Sequence, residues 1–170
     1  MNVTLRYAIV PSEPFLASVK YRNIDKVYFR LISLNPEQER NIRQSNRQEA
    51  ILQQYLGMPY NTSWEQELPD EGDLQSHNVQ LKMPATGKGF YVLLASTTED
   101  FDTEAGPIVY ATFWSTTLSY VSNASFEGNT EIFVLDREKG TPIAGVTATT
   151  FIREYDYSSR SYAVNEQNTY

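Results

Sequence analysis

Hydrophobic and polar positions alternate along most of this chain with a period of two, the signature of half-buried strands. Lys26 to Leu34 shows it best. Val27, Phe29 and Leu31 fall on one face of an extended strand, and Tyr28, Arg30 and Ile32 on the other. Both faces carry apolar groups, so this strand is expected inside a sandwich rather than at its edge. Val3–Val10 and Phe15–Tyr21 precede it as strands, separated by the turn cluster Pro11-Ser12-Glu13-Pro14. After Pro59 the pattern predicts strands at Trp64–Leu68, His77–Met83, Phe90–Ser96 and Ile108–Ser115. Phe90–Ser96 is a dense apolar run and the best central strand. Pro69 to Asp73, Pro84 to Gly89 and the acidic stretch Thr97 to Gly106 are the turns between them.

Residues 36–56 break the alternation. They are rich in Glu, Gln, Arg and Asn, and Ile51, Leu52, Tyr55 and Leu56 recur at helical spacing. Asn35 reads as an N-cap with Pro36 at the first helical position, and Gly57 as the stop. One helix is predicted, amphipathic mainly in its second half, packed across an opening of the sandwich.

The composition changes near residues 116–129. Leu118 and Tyr120 start a new strand, a small polar loop with Gly128 follows, and Glu131–Leu135 is the next strand. Asp136 to Thr141 is a turn, and Pro142 leads into Ile143–Ile152, read as extended. Beyond Arg153 the chain is polar and tyrosine-rich, with no clear core strand. Residues 117–170 fall well short of the roughly 100 residues of a complete sandwich. The fold class expected is therefore all-β. Residues 1–116 form an immunoglobulin/fibronectin-like antiparallel β-sandwich with one helical insertion. Residues 117–170 form the start of a second sandwich, cut short.

An ordered set of motifs adds to this reading. The stretch Val19 to Leu34, with Tyr21-Arg22-Asn23, resembles a macroglobulin domain of the large bacterial alpha-2-macroglobulin-like proteins, especially those of Bacteroidetes. Trp64 to Pro69, Asp73 to His77, Leu81 to Pro84 and Gly89 to Ser96 are similar, in order, to later strands of that domain. Phe133 to Val146 resembles the opening hairpin of the next module, and also carboxypeptidase-regulatory-like modules of outer-membrane systems. The resemblance covers roughly residues 3–152. It implies an extracytoplasmic scaffold, in the periplasm or on the outer-membrane surface, whose export signal is not in this chain. Its partners would be neighbouring domains of the parent protein and a proteinase trapped by that parent. Some family members carry a thioester built on cysteine, which this chain lacks.

Within the 136–146 segment, Gly140 is expected to supply a positive-φ turn residue, Pro142 to start a strand where no ladder N–H is needed, and Gly145 to leave space for a neighbour.

Charge and composition narrow the function classes. The formal net charge of −7 disfavours nucleic acid and anionic membrane surfaces. No apolar run is long enough to span a bilayer. With no cysteine, thiolate metal sites, disulfides and cysteine nucleophiles are excluded. The 12 tyrosines lean toward sheet, and secondarily toward a sugar-stacking surface.

The chemistry-bearing residues favour structural roles. His77 has Asp73 and Ser76 near it in sequence, but triads are built by geometry and no Gly-x-Ser-x-Gly elbow is present. Glu99, Asp100, Asp102 and Glu104 lack the spacing of an EF-hand and read as a solvated loop, as do Asp70, Glu71 and Asp73. Trp64 is expected in a core or interface, and Trp114 in packing between domains. Tyr155, Tyr157 and Tyr162 read as a strand whose partners are missing. Sequons at Asn2, Asn61 and Asn123 matter only in a glycosylating host. No catalytic, cofactor-binding or metal-binding residue is assigned, and no cofactor is expected. The expected function is a non-catalytic structural module of a protease-trapping envelope protein. A glycan- or protein-binding adhesion module is the alternative, and a carboxylate-based hydrolase the third possibility.

Overall fold

The computed structural model describes residues 1–170 except 43, 46, 70, 71, 125–129 and 159–160, and the side chains of 124, 130 and 161. Asp70, Glu71 and Gly128, named above, therefore lie outside the described residues. The chain divides into two compact units, Met1–Ser115 and Thr116–Tyr170.

The first unit contains β1 (Asn2–Leu5), β2 (Ala8–Ile9), β3 (Phe15–Tyr21), β4 (Lys26–Leu34), α1 (Pro36–Ile42), α2 (Gln48–Leu56), β5 (Thr62–Glu67), β6 (His77–Met83), β7 (Gly89–Ser96) and β8 (Ile108–Ser115). A three-stranded sheet has the order β1-β3-β6, and a five-stranded sheet the order β2-β8-β7-β4-β5. The sheets share one core. Val3, Phe15, Ala17, Val19, Leu81 and Met83 come from the smaller sheet and meet Val27, Phe29, Leu31, Tyr91, Leu93, Ala95 and Phe113 from the larger. Phe113 is central to it, with its ring 4.9 Å from Phe15 and stacked 5.5 Å from Tyr91.

The larger sheet is buried on both faces. Its other face, carrying Ile32, Leu34, Phe90, Val92 and Leu94, is covered by Ile42 of α1, Tyr55 of α2 and Phe101 of the loop after β7. This explains why β4 and β7 are apolar on both sides: β7 alternates Phe90, Val92 and Leu94 toward the helices with Tyr91, Leu93 and Ala95 toward the smaller sheet. The helical insertion is thus a third layer on the outer face of the five-stranded sheet, not a plug across an opening.

That insertion holds two helices where one was expected. The first starts with a reciprocal cap: Asn35 Oδ1 accepts from the Gln38 N–H at 2.8 Å, and Gln38 Oε1 accepts from the Asn35 N–H at 2.9 Å. It ends because the N–H groups of Gln44 and Ser45 bond three residues back, to Asn41 and Ile42, in the tighter geometry that closes helices. The apolar stripe of α2 restarts after this break.

Two further expectations are corrected. The predicted strand Val3–Val10 is split, because β1 pairs with β3 while β2 leaves for the other sheet and lies parallel to β8. The change of sheet is held by the Tyr7 carbonyl, which accepts from the Trp114 N–H at 2.8 Å. This parallel pair is a departure from the all-antiparallel expectation.

The second unit contains β9 (Leu118–Ala124), β10 (Thr130–Asp136), β11 (Thr149–Asp156) and β12 (Ser161–Thr169). They form two separate antiparallel hairpins, β9–β10 and β11–β12. The expected strand Ile143–Ile152 begins only at Thr149, and the tail beyond Arg153, read as having no clear core strand, holds β12, so that Tyr155 and Tyr162 are partners within one hairpin. Cross-strand neighbours Tyr155–Tyr162 supply the reason: tyrosine and threonine suit a ladder even where no core forms. Gly140 adopts φ +68° and closes the turn after β10, its N–H donating to the Asp136 carbonyl. Gly145 also has positive φ, +71°, but nothing lies within 4 Å of where a Cβ would sit, so conformation and not space explains it. Among the described residues of this unit none is buried.

Among the described residues no helix is long and apolar enough to cross a membrane.

Candidate functional site

A polar cleft of the first unit lies on the outer face of the five-stranded sheet, near its β5 edge. It has a volume of about 250 Å³ and is lined by Tyr28, Arg30, Tyr60, Ser63, Glu65, Glu99 and Phe101. The pleat places these groups. Tyr28 and Arg30 share the outward face of β4, and register puts Glu65 opposite Tyr28 and Ser63 opposite Arg30 on β5. Tyr60 arrives from the turn before β5, where the Asn61 N–H donates to the Leu31 carbonyl at 2.7 Å. Glu99 and Phe101 arrive from the loop after β7.

Arg30 organises the cleft. Its guanidinium carbon sits 4.0 Å from the centroid of Phe101 and 5.0 Å from that of Tyr60, and one N–H donates to the Glu99 carbonyl at 3.2 Å. Phe101 is buried and holds a left-handed backbone, φ +60°, unusual for a bulky residue. Its ring belongs to the apolar cluster on the outer face of the five-stranded sheet, and this burial offsets the backbone cost of about 1 kcal/mol. The loop is held by its own acids. Asp100 Oδ1 accepts from the Asp102 N–H and Asp102 Oδ1 from the Glu104 N–H, so these carboxylates close turns.

The residues singled out from sequence fall in different places. His77 Nε2 lies 2.8 Å from Asp73 Oδ1, on a shallow surface hollow with Tyr21, whose hydroxyl donates to the Pro69 carbonyl. Ser76 is exposed. Trp64 stacks on Phe29 at 5.1 Å. Trp114, expected in packing between domains, packs its ring 4.9 Å from Phe90 within the first unit and donates its Nε1–H to Tyr7 Oη at 3.2 Å. Tyr155 contacts Tyr157 and Tyr162 at 5.0 Å each, edge-on, and Arg153 lies over Tyr162 at 3.8 Å. Among the described residues no three His, Cys, Asp or Glu side chains are grouped to hold a metal ion. Glu65 and Glu99 do line one cleft, a juxtaposition that the sequence reading missed.

Two surface aspartates of the first unit are held below the usual carboxylate range. For Asp73 the main cause is the Gln75 backbone N–H, followed by His77; for Asp100 it is the Thr98 hydroxyl, followed by the Asp102 N–H. A folded pKa below the unfolded one stabilises the fold above the unfolded value, about 3.9, and the gain is lost as pH falls through the folded value. The urea midpoint of the first unit should therefore fall as pH drops below about 4. Replacing both aspartates with asparagine should flatten that decline, and an unchanged slope in the double variant would contradict the assignment.

Compared with protein-family models, with curated proteins and with solved structures, the chain shows no significant match.

Proposed function

We propose that this chain is a non-catalytic structural module of a larger secreted or envelope protein of the alpha-2-macroglobulin type. On this reading the first unit is a macroglobulin-type, immunoglobulin/fibronectin-like sandwich, and residues 117–170 are the opening strands of the next module. The observation that carries the proposal is the uneven distribution of burial. Every buried side chain of the described residues lies in the first unit, while the second presents Tyr120, Val121, Phe133 and Phe151 to solvent from two hairpins. Such hairpins are what the start of a sandwich looks like before its later strands close over it. The facing sheets β1-β3-β6 and β2-β8-β7-β4-β5 also support a sandwich with an early strand exchanged between sheets. The motif set at residues 19–34 and 89–96 falls on β4, β7 and their approaches, where a fold-defining pattern belongs.

The role in the parent is a shell that helps enclose a proteinase. The test is to incubate the full-length parent with a panel of proteinases of different specificity and follow the mixture by native electrophoresis. Co-migration of proteinase with the parent is expected, and free migration of every proteinase would remove the trapping role.

A further inference from the structure

We propose that the Arg30 cleft binds a neutral sugar residue. The charges in the cleft select this class. A cationic ligand would meet the Arg30 guanidinium, which already occupies the space beside the Phe101 and Tyr60 rings. An anionic ligand would meet the Glu65 carboxylate, only partly offset by its Lys26 partner, the Glu99 carbonyl oxygen and the acidic 99–104 loop, on a chain of net charge −7. A neutral polyol avoids both penalties and uses both kinds of group.

The hydrogen-bonding inventory points the same way. A guanidinium has five N–H donors. Among the described residues the Glu99 carbonyl is the one acceptor the structure gives Arg30. Glu65 accepts from Lys26 Nζ through Oε1 at 2.8 Å, which holds the side chain in place and leaves Oε2 for a ligand. Adjacent ring hydroxyls both donate and accept, so one can donate to a carboxylate while its neighbour accepts from Arg30. Charge-assisted bonds of this kind are the strong ones. Ser63, opposite Arg30, adds a hydroxyl that does either. The apolar side of the site is Tyr60, half exposed at 50%. Its exposed part is the apolar surface available to the C–H groups of a pyranose, and its contact with Arg30 sets its orientation before any ligand arrives. The volume, about 250 Å³, is below the range of drug-sized pockets and suits one sugar unit of a longer glycan. The cleft lies wholly within the first unit, so this inference stands or falls separately from the proteinase-trapping role.

Saturation-transfer NMR on the full chain tests it, with the methyl glycosides of glucose, galactose, mannose and N-acetylglucosamine as probes and glucuronate as the anionic comparator. At least one neutral glycoside is expected to bind, with a dissociation constant of about 1 mM, and its signal should be strongest for ring C–H protons of one face. Tyr60→Ala should weaken binding at least about tenfold, and Tyr60→Phe, which keeps the ring face, should restore it. Arg30→Lys should also weaken it, because the ammonium keeps the charge and loses the flat fork. Tyr120→Ala, in the second unit, should change nothing, and each variant should keep the parent's dispersed methyl spectrum. The proposal is overturned by the absence of binding for all four neutral glycosides at about 10 mM, by binding that survives Tyr60→Ala, or by a preference for glucuronate. Consumption of a glycoside would also overturn it as a pure binding site, and would make Glu65 and Glu99 a catalytic pair.

Discussion

Phe113→Ala should destabilise the first unit by about 4 kcal/mol, the middle of the range for aromatic truncation in a core. Phe113 is fully buried on β8 and faces the smaller sheet. Its loss removes the transfer free energy of the ring and leaves a cavity between the sheets. Backbone pairing of β8 with β7 along its whole length holds the two strands in place and limits collapse. It also removes two ring contacts, to Phe15 and Tyr91, each worth about 1 kcal/mol beyond area burial. For a unit of this size the thermal midpoint should fall by more than about 10 °C. Urea titration checks the value, with a lower midpoint and an unchanged slope expected. Phe133→Ala provides the contrast. That ring lies on β10 and is 53% exposed, so its removal should cost less than about 1 kcal/mol. Equal losses for the two substitutions would mean that the facing-sheet core is not the main source of stability.

Separating the units should give the largest contrast of all. Residues 1–115 contain both apolar cores and should fold alone with a single cooperative transition. Residues 116–170 should show no cooperative transition. Two-stranded hairpins are marginal in water, and here none of the described side chains is buried to offset the conformational entropy of ordering them. Calorimetry and amide hydrogen exchange on the two fragments measure this. A sharp, concentration-independent transition in 116–170 would show that the hairpins make a stable domain by themselves, and the reading of this unit as opening strands would fail. A transition that rises with concentration would show instead that the exposed apolar faces of β9 to β12 pair between chains, which is the liability of open strand edges.

Much of the first unit is legible in the sequence because strand formation there is a local matter of alternation. The period of two in Lys26–Leu34 and His77–Met83, and the dense run at Phe90–Ser96, each correspond to a strand. The Asn35-Pro36 start of the helical insertion is equally local, since a cap needs only residues three apart. The interruption after Ile42 was not legible, because polar residues on a helix surface look alike whether or not the helix continues. Nor was the split of Val3–Val10, where the pairing of Tyr7 to Ile9 with distant Trp114 and Ser115 places the second half on the other sheet.

The Arg30 cleft shows the limit most clearly. Its groups come from Tyr28–Arg30, Tyr60–Glu65 and Glu99–Phe101, three segments that no motif links. One signal was available: Phe101 is a lone aromatic in an otherwise acidic loop, and such a residue needs somewhere to go. By itself the sequence determined that this chain is predominantly strand with one helical interruption, because alternation, caps and turn residues act over a few positions. The tertiary structure alone decided that the helices roof the outer face of the five-stranded sheet, that β2 lies parallel to β8, and that Arg30 meets Tyr60 and Phe101. Those outcomes depend on which apolar faces find each other across long stretches of chain, and burial of distant surfaces leaves no local pattern to read.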